Sequence, residues 1–207
     1  MRAPKGWTRR GRIDYLRSMD LRTTALPGVL VLTPRRYGDD RGYFSEVWSR
    51  AALRKAGLDL DFVQDNESRS ARAGTVRGLH YQAPPFAQTK LVRVCHGAVL
   101  DIAVDVRTGS PTYGQWVAEE LSAANGAQLL VPRGFLHGFV TLQPDTIVAY
   151  KVDNPYDAAS DGAVFWNDAT LGIDWGVGPG EATVSDKDRA APSFGDWVSP
   201  FTYGETA

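Results

Sequence analysis

The chain has 207 residues, a length that suits one domain or a close pair of small ones. Hydrophobic residues make up 43% and charged residues 23%, which is ordinary for a globular protein and excludes a disordered or collagen-like chain. Lys and Arg number 23 against 24 Asp and Glu, giving a formal net charge of −1, so we expect no nucleic-acid partner that depends on bulk positive charge. No run of apolar residues is long enough to span a bilayer, and we expect no membrane partner.

The first 18 residues differ from the rest of the chain in charge. They carry six basic side chains and a single acid, Asp14. We expect residues 1–18 to form a flexible basic arm and residues 19–207 to form a single domain, with Met19 as an alternative start of translation. No apolar segment follows the basic residues, as a secretory signal would require. The single cysteine, Cys95, allows no internal disulfide and favours a reducing compartment, so a cytoplasmic location is expected.

The chain predicts strands almost throughout. Six Trp, eight Tyr, eight Phe and 21 Gly favour short strands joined by turns. In chain order, strands are predicted at 28–33, 43–48, 61–66, 75–82, 90–94, 98–106, 116–121, 128–131, 135–142, 146–152 and 163–166. One short helix is predicted over Arg50–Ala56, ended by Gly57. The tail from Trp175 is rich in Gly, Pro and Asp, and we expect it to wrap the body.

The clearest strand pattern lies in residues 98–106. Ala98, Leu100, Ile102, Val104 and Val106 alternate with Val99, Asp101, Ala103 and Asp105. This alternation predicts a strand with one dry face and one wetter face. Many strands with one convincing helix favour a sandwich or small barrel, because a parallel α/β sheet needs a helix between most strand pairs.

Motifs for nucleotide loops and hydrolase nucleophiles are absent. The sequence has no Gly-x-x-x-x-Gly-Lys-Ser/Thr, no Gly-x-Gly-x-x-Gly opening a helix, and no Gly-x-Ser-x-Gly elbow. The three histidines, His80, His96 and His137, and one cysteine leave little material for a zinc site. We expect no metal.

Several polar residues interrupt otherwise apolar predicted strands: Arg77, His80, Lys90, His137 and Tyr150. A buried polar group without a partner costs roughly 1–3 kcal/mol, and a charged one costs more. Each residue alone is compatible with a satisfied core position, whereas together they predict a polar-ligand pocket with a histidine as candidate general base.

One spacing argues against this pocket. Arg77 and His80 are three residues apart, so a regular strand would place them on opposite faces. Gly78 between them could allow a bulge that turns one of them round, and the sequence leaves this open.

At these residues the chain resembles the dTDP-4-dehydrorhamnose 3,5-epimerases, a family of cupin-type jelly rolls. The likeness extends from about residue 20 to 195 and includes several segments in the same order. The matching segments are 40–46, 62–68, 76–82, 90–94, 109–114, 131–139, 150–151, 166–168 and 185–189. The resemblance implies an all-β jelly-roll sandwich or barrel with a few short helices. The basic arm and the tail after Ala190 lie outside the family pattern.

The resemblance also implies a reaction. The family's substrate is a dTDP-linked 4-keto-6-deoxy sugar, dTDP-4-dehydro-6-deoxy-D-glucose, and its product is dTDP-4-dehydro-L-rhamnose, which feeds dTDP-L-rhamnose biosynthesis. Carbons C3 and C5 both flank the C4 ketone, so enolate formation acidifies their protons. The reaction needs no cofactor, but it needs a base and an acid on opposite faces of the sugar ring.

The family pattern assigns four catalytic roles. His80 resembles the base, and Asp188 resembles the carboxylate that orients it. Tyr150 resembles the acid on the far face, where a phenol with an ordinary pKa of about 10 stays protonated at neutral pH. Lys90 resembles the residue that supports the C4 oxyanion, a role typically worth about 3–4 kcal/mol.

Other matching positions resemble contacts to the sugar nucleotide. Arginine suits a diphosphate because its planar fork makes bidentate, charge-assisted hydrogen bonds. Tyr156 resembles an aromatic residue that stacks on thymine, whereas Asp168 is interpreted as a turn residue. The implied substrate-binding residues are Arg41, Glu46, Gln64, Asn66, Arg77, Lys90, His137, Tyr156 and Lys187.

Three alternatives remain at this point. A mono-epimerase acting at C3 or C5 alone would share the base and acid, a metal-dependent cupin would need a bound metal, and a sugar-binding module would not turn over. The family commonly forms homodimers with exchanged edge strands, which would also cover exposed sheet edges. We therefore expect a homodimer.

Overall fold

The computed structural model describes residues 19–204, which form thirteen strands and two short helices. The strands are β1 (Met19–Thr23), β2 (Leu30–Pro34), β3 (Arg36–Asp39), β4 (Gly42–Ser45), β5 (Gln64–Ser70), β6 (Val76–Gln82), β7 (Lys90–His96), β8 (Ala98–Asp105), β9 (Trp116–Ser122), β10 (Gln128–Val131), β11 (Phe135–Thr141), β12 (Thr146–Val152) and β13 (Asp161–Ala163). The helices are α1 (Arg50–Lys55) and α2 (Asp186–Arg189). The all-β prediction is confirmed. The flexible arm predicted for residues 1–18 lies outside the described residues.

Two antiparallel sheets form the body. One sheet has the order β1-β2-β10-β7-β12-β5 and the other the order β13-β6-β11-β8-β9, while β3 and β4 form a separate hairpin. Apolar side chains from both sheets meet in one buried cluster, which includes Val92 on β7, Ala103 on β8, Leu129 on β10 and Phe139 on β11. The sheets therefore pack face to face as a sandwich, with this cluster between them.

The predicted contrast between a dry and a wet face of β8 is wrong, because both faces are buried. Val99 and Ala103 join the cluster between the sheets, and Asp101 on the same face is fully buried. Ile102 and Val104 on the other face pack in a second cluster with Trp166, Trp175 and Phe201. The chain after β13 covers the outer face of the five-stranded sheet, and this confirms the prediction that the tail wraps the body.

Other differences from the predicted elements concern polar strands and strand ends. β5 starts at Gln64 and not at 61, because the segment that pairs with β12 is Gln64–Ser70. This strand contains no apolar residue and lies at a sheet edge, so hydrophobic alternation could not define it. β13 covers Asp161–Ala163 and not 163–166. β7 extends through His96, which leaves Gly97 alone to make the turn before β8.

Helix α1 confirms the one helix predicted. The Ser49 hydroxyl caps it by accepting a hydrogen bond from the Ala52 N–H at 3.4 Å. Gly57 follows with φ +85°, a left-handed conformation that suits glycine after a helix. Leu53 is buried with Leu32 and Leu91 in a third cluster, so the helix packs on the six-stranded sheet.

Asp168 has a structural role, as interpreted from the sequence. Its Oδ1 accepts a hydrogen bond from the Thr170 N–H, and its Oδ2 accepts one from the Phe194 N–H, both at 2.8 Å. Burial raises the pKa of this carboxyl, but the backbone N–H groups outweigh burial and hold the pKa below its ordinary value. The carboxylate thereby joins the turn after Trp166 to the C-terminal tail.

A β-bulge where β6 pairs with β11 decides which side chains face the interior. His80 pairs with His137 and Arg77 pairs with Phe139, so Gly78 and Leu79 together stand opposite Gly138. The extra residue puts Arg77 and His80 on the same face. Their spacing of three residues therefore no longer argues against a shared pocket. Glycine is required here, because a Cβ on Gly78, which has φ +133°, would lie 2.6 Å from the Gly138 Cα.

We predict that Gly138→Ala destabilises the protein at this bulge. A Cβ at this position would lie 2.9 Å from the Arg77 carbonyl oxygen and 3.2 Å from the Gly78 Cα, so the backbone has to move. The free energy of unfolding, measured by urea denaturation, should fall by about 1–3 kcal/mol. Gly180→Ala is the control, because nothing lies within 4 Å of its added Cβ. Equal stability of the two variants would contradict a close-packed bulge.

Candidate active site

A cavity of about 420 Å³ lies between the two sheets and the C-terminal segment that carries α2. The six-stranded sheet contributes Ser68, Lys90 and Tyr150, and the five-stranded sheet contributes Arg77, His80 and His137. Lys187 and Asp188 come from α2. The full lining is Ser68, Thr75, Val76, Arg77, His80, Lys90, His137, Phe139, Tyr150, Thr183, Val184, Ser185, Lys187 and Asp188.

Strand register explains why these side chains converge. Tyr150 on β12 pairs with Val92 on β7, and Lys90 lies two residues before Val92 on the same face. Across the cavity, His80 and His137 are direct partners on β6 and β11. The imidazole of His80 and the phenol of Tyr150 therefore approach one cavity from facing sheets.

His80 is held by a buried carboxylate. Its Nε2 lies 2.6 Å from Oδ1 of Asp188, which is only 3% exposed, while Asp188 Oδ2 accepts a hydrogen bond from the Gly78 N–H at 3.4 Å. Burial raises the pKa of Asp188, but the bonds from His80 and Gly78 outweigh it and hold the pKa below its ordinary value. An ionised carboxylate only accepts, so His80 Nε2 donates and Nδ1 remains as the basic nitrogen.

Lys90 is placed to meet a negative charge. Burial lowers the pKa of Lys90 to about 8, although the nearby carboxylates of Asp161 and Asp101 oppose this shift. Within residues 19–204, the Lys90 ammonium makes no hydrogen bond and no ion pair. It is therefore a cation at neutral pH whose donors are available to a ligand.

Tyr150 is a phenol that stays protonated at neutral pH. Burial raises its pKa above the ordinary value, Asp161 adds to that shift, and Arg77 opposes it. The protonated hydroxyl can donate to a basic atom in the cavity.

A second cavity of about 150 Å³ shares His80, Lys90 and Tyr150 with the first. Gln64 and Asn66 line it from β5 and are joined by a 2.8 Å hydrogen bond between their side chains. At its rim, the Tyr156 N–H donates to the Gln64 side-chain oxygen at 3.1 Å, and the Tyr156 ring is 59% exposed. Because the two cavities share three lining residues, they form one elongated site.

Three of the polar residues at the site that were not predicted from the sequence support its charged groups. Asp161 on β13 accepts a hydrogen bond from the Tyr156 hydroxyl at 3.3 Å and forms an ion pair with Lys187. Ser70 accepts from Arg77 Nε at 3.2 Å. Asp101 Oδ1 lies 2.8 Å from His137 Nε2. Only Asp101 had a sequence signal, as an acid within an apolar strand.

Two of the predicted binding residues lie apart from the cavities of this chain. Arg41 is in the turn between β3 and β4, where its guanidinium bonds to Asp39, and Glu46 follows β4. Neither residue lines the cavities. The remaining predicted residues line one cavity or both: His80, Tyr150, Asp188, Lys90, Gln64, Asn66, Arg77, His137, Tyr156 and Lys187.

The described part of the chain contains no group of three or more His, Cys, Asp or Glu side chains arranged to hold a metal ion. Between residues 19 and 204, neither helix is long and apolar enough to cross a membrane.

Comparison with known proteins identifies the family. The family model for dTDP-4-dehydrorhamnose 3,5-epimerase matches residues 23–196. A dTDP-4-dehydrorhamnose 3,5-epimerase from Sinorhizobium fredii is 51% identical over 190 residues, which cover 91% of this chain and 96% of the relative.

Solved structures agree in fold and in family. The epimerase from Bacillus anthracis with TDP and PPi bound has a TM-score of 0.82 and 51% identity, covering 84% of this chain and 99% of its own. The enzyme from Legionella pneumophila in complex with dTDP-4-keto-L-rhamnose has a TM-score of 0.80 and 41% identity, covering 84% and 92%.

A 3'-monoepimerase from Streptomyces bikiniensis in complex with dTDP-quinovose is also similar, with a TM-score of 0.76 and 33% identity over 82% of this chain and 85% of its own. The fold is thus common to single and double epimerases, while the family model and the more similar relatives carry the double-epimerase name. The chain belongs to the dTDP-4-dehydrorhamnose 3,5-epimerase family of isomerases.

Proposed function

We propose that this chain inverts both C3 and C5 of dTDP-4-dehydro-6-deoxy-D-glucose, giving dTDP-4-dehydro-L-rhamnose for dTDP-L-rhamnose biosynthesis without a cofactor. The observation that carries the proposal is that His80 and Tyr150 line one cavity from facing sheets. The dTDP-4-keto-L-rhamnose bound in the Legionella pneumophila enzyme and the TDP bound in the Bacillus anthracis enzyme support the substrate class.

In the proposed reaction, His80 removes the proton from the carbon beside the C4 ketone. Its Nδ1 takes the proton, and Asp188, bonded to Nε2 at 2.6 Å, stabilises the imidazolium that forms. The electron pair of the broken C–H bond moves to the C4 oxygen, where the Lys90 ammonium opposes the developing negative charge.

Inversion requires that the new proton arrive from the other face of the ring. Tyr150 donates its hydroxyl proton to the enolate carbon from the six-stranded sheet, leaving a phenolate. Exchange with solvent then returns a proton to Tyr150 and removes one from His80, so the pair is ready for the second carbon. The same base and acid serve C3 and C5 in turn.

The rest of the elongated site suits a nucleotide diphosphate. The Arg77 guanidinium is oriented by the Ser70 hydroxyl and the Arg69 carbonyl, each at 3.2 Å, and it faces the cavity as a ready anion-binding group. Gln64, Asn66 and Tyr156 would contact the sugar and the thymine beyond it. When substrate binds, the Lys187 ammonium would leave Asp161 and pair with a phosphate oxygen instead.

We also propose a homodimer in which the β3–β4 hairpin reaches the partner. Arg41 and Glu46 belong to the family's binding pattern, yet in this chain they lie outside the cavities. Tyr43 and Phe44 on the same hairpin are 60% and 65% exposed, an apolar surface that a partner subunit would cover. Light scattering at micromolar protein should give twice the mass of one chain, and a monomeric mass would contradict the dimer.

Proton exchange in D₂O tests the reaction itself. The chain is incubated with dTDP-4-dehydro-6-deoxy-D-glucose in D₂O, and NMR spectra should show deuterium at both C3 and C5 of the sugar. Label at one carbon alone would indicate a mono-epimerase, and no label would indicate a sugar-binding module. Loss of exchange on chelation, with stoichiometric metal in the protein, would indicate a metal-dependent cupin.

Variants of the base and acid test the assigned roles. His80→Ala should slow exchange at both carbons by about 10²–10⁴-fold, because a positioned base contributes that much. Tyr150→Phe should reduce inversion more than proton loss, because the phenol acts only in reprotonation. NMR in D₂O separates the two steps.

The control is His96→Ala, since His96 is exposed at the end of β7 and lines neither cavity. It should exchange at the wild-type rate. A His80→Ala protein that keeps more than about a tenth of wild-type exchange would contradict the base assignment. Equal loss of inversion and proton abstraction in Tyr150→Phe would mean that Tyr150 only positions the sugar.

A further inference from the structure

Asp101 is a buried carboxylate for which the proposed mechanism has no role. It lies on β8, where its cross-strand partners are Phe139 on β11 and Glu119 on β9, and it is 0% exposed. Its Oδ1 lies 2.8 Å from His137 Nε2, whereas its Oδ2 has no hydrogen-bond partner among residues 19–204. A half-satisfied buried carboxylate is costly, so its position beside the cavity needs an explanation.

The contact with His137 has a defined chemical consequence. A carboxylate only accepts hydrogen bonds, so His137 Nε2 carries the proton that it donates to Asp101. Nδ1 is then the ring nitrogen left for a ligand. The arrangement repeats that of His80 with Asp188, and the two histidines are direct partners across β6 and β11.

Asp101 also acts on Lys90 from the opposite sheet. Lys90 lines the cavity from β7, and the two carboxylates that favour its ammonium form are Asp161 on β13 and Asp101 on β8. The other titratable or charged groups that line the cavities with Lys90 are Arg77, His80, Tyr81, His137, Tyr150, Tyr156, Lys187 and Asp188. Asp161 already forms an ion pair with Lys187, whereas Asp101 forms no ion pair with a Lys or Arg among residues 19–204.

We propose that Asp101 is a positioning residue for the epimerisation, acting through His137 and Lys90. One oxygen fixes the tautomer and orientation of His137, so that Nδ1 accepts a hydrogen bond from a sugar hydroxyl. The other oxygen, buried and unbonded among residues 19–204, leaves a negative charge on the sheet that faces Lys90. The kinetic consequences of this inference rest on the proposed function, whereas the tautomer of His137 does not.

Kinetics of Asp101→Asn test the inference, with Glu119→Gln as the matched control. Glu119 is the cross-strand partner of Asp101, but it makes a more exposed ion pair with Arg22 at the sheet edge. Asp101→Asn should slow exchange by about 10–100-fold, by analogy with the loss seen when the group that orients a metal-bound histidine is removed. Glu119→Gln should stay within about twofold of wild type. In a His137→Gln background, Asp101→Asn should cost less than it does alone.

The pH profile gives a readout that a purely structural role would not change. The pKa of Lys90 is about 8, and the negative charge of Asp101 helps to raise it to that value. Removing this charge should therefore lower the pKa of Lys90. The alkaline limb of kcat/KM should therefore move to lower pH in Asp101→Asn. Rates and pH profiles of Asp101→Asn that match those of Glu119→Gln would overturn the proposal.

A measurement on the wild-type protein keeps the inference testable if Asp101→Asn fails to fold. Nitrogen-15 NMR of the ligand-free chain, with His137→Gln used for assignment, should show the proton of neutral His137 on Nε2. A proton on Nδ1 with a bare Nε2 would overturn the proposal. If wild type shows no exchange in D₂O, the proposed function fails, while the tautomer still decides how Asp101 acts on His137.

Discussion

The site depends on the pairing of β6 with β11. This pairing contains the bulge in which Gly78 and Leu79 face Gly138, and without it Arg77 and His80 would point to opposite sides of the sheet. The bulge needs glycines on both strands, because the backbones approach too closely for a Cβ. It also brings the Gly78 N–H within 3.4 Å of Asp188, so the same irregularity orients His80 and contacts the carboxylate behind it.

Both site histidines bond to a buried carboxylate from another element of the fold. Asp188 reaches His80 from α2, and Asp101 reaches His137 from β8. Each histidine thus has one nitrogen tied to a carboxylate and one left for chemistry. Lys90 differs from both, since it has nearby negative charges but no bonded partner within the described chain, and its ammonium is therefore available to a ligand.

The sequence was sufficient for most of the fold, because strands such as β8, β11 and β12 alternate or carry long apolar runs between clear turns. It was insufficient for β5, whose residues are all polar and whose place is set by pairing with β12. The prediction of a wet face on β8 was wrong, because a polar residue on a strand can line a buried site instead of facing solvent. Asp101 and Asp105, the two residues that made that face look wet, are both fully buried.

For the site, motifs identified ten of the residues that line the cavities, but they missed Ser70 behind Arg77 and Asp161 in the second cavity. Ser70 and Asp161 are ordinary polar residues in their segments, and only the register that brings them to Arg77 and Lys187 reveals a role. Conversely, Arg41 and Glu46 match the family pattern without lining the cavities of their own chain. Whether they complete a binding site depends on the proposed dimer, which local spacing does not encode.

The placement of His80 and Tyr150 on facing sheets also constrains how one site could act on two carbons. His80 and Tyr150 are fixed to strands of two facing, closely packed sheets, so in the proposed reaction the base and the acid cannot exchange sides between the two inversions. In the proposed reaction, C3 and C5 would therefore be presented in turn by movement of the sugar, while the nucleotide stays bound at the other end of the site. A 3'-monoepimerase with the same fold shows that the scaffold alone does not set the number of inversions. Under the proposed mechanism, the number of inversions would then depend on the residues that surround the sugar in the cavity, among them Phe139 and Val76, rather than on the proposed base and acid.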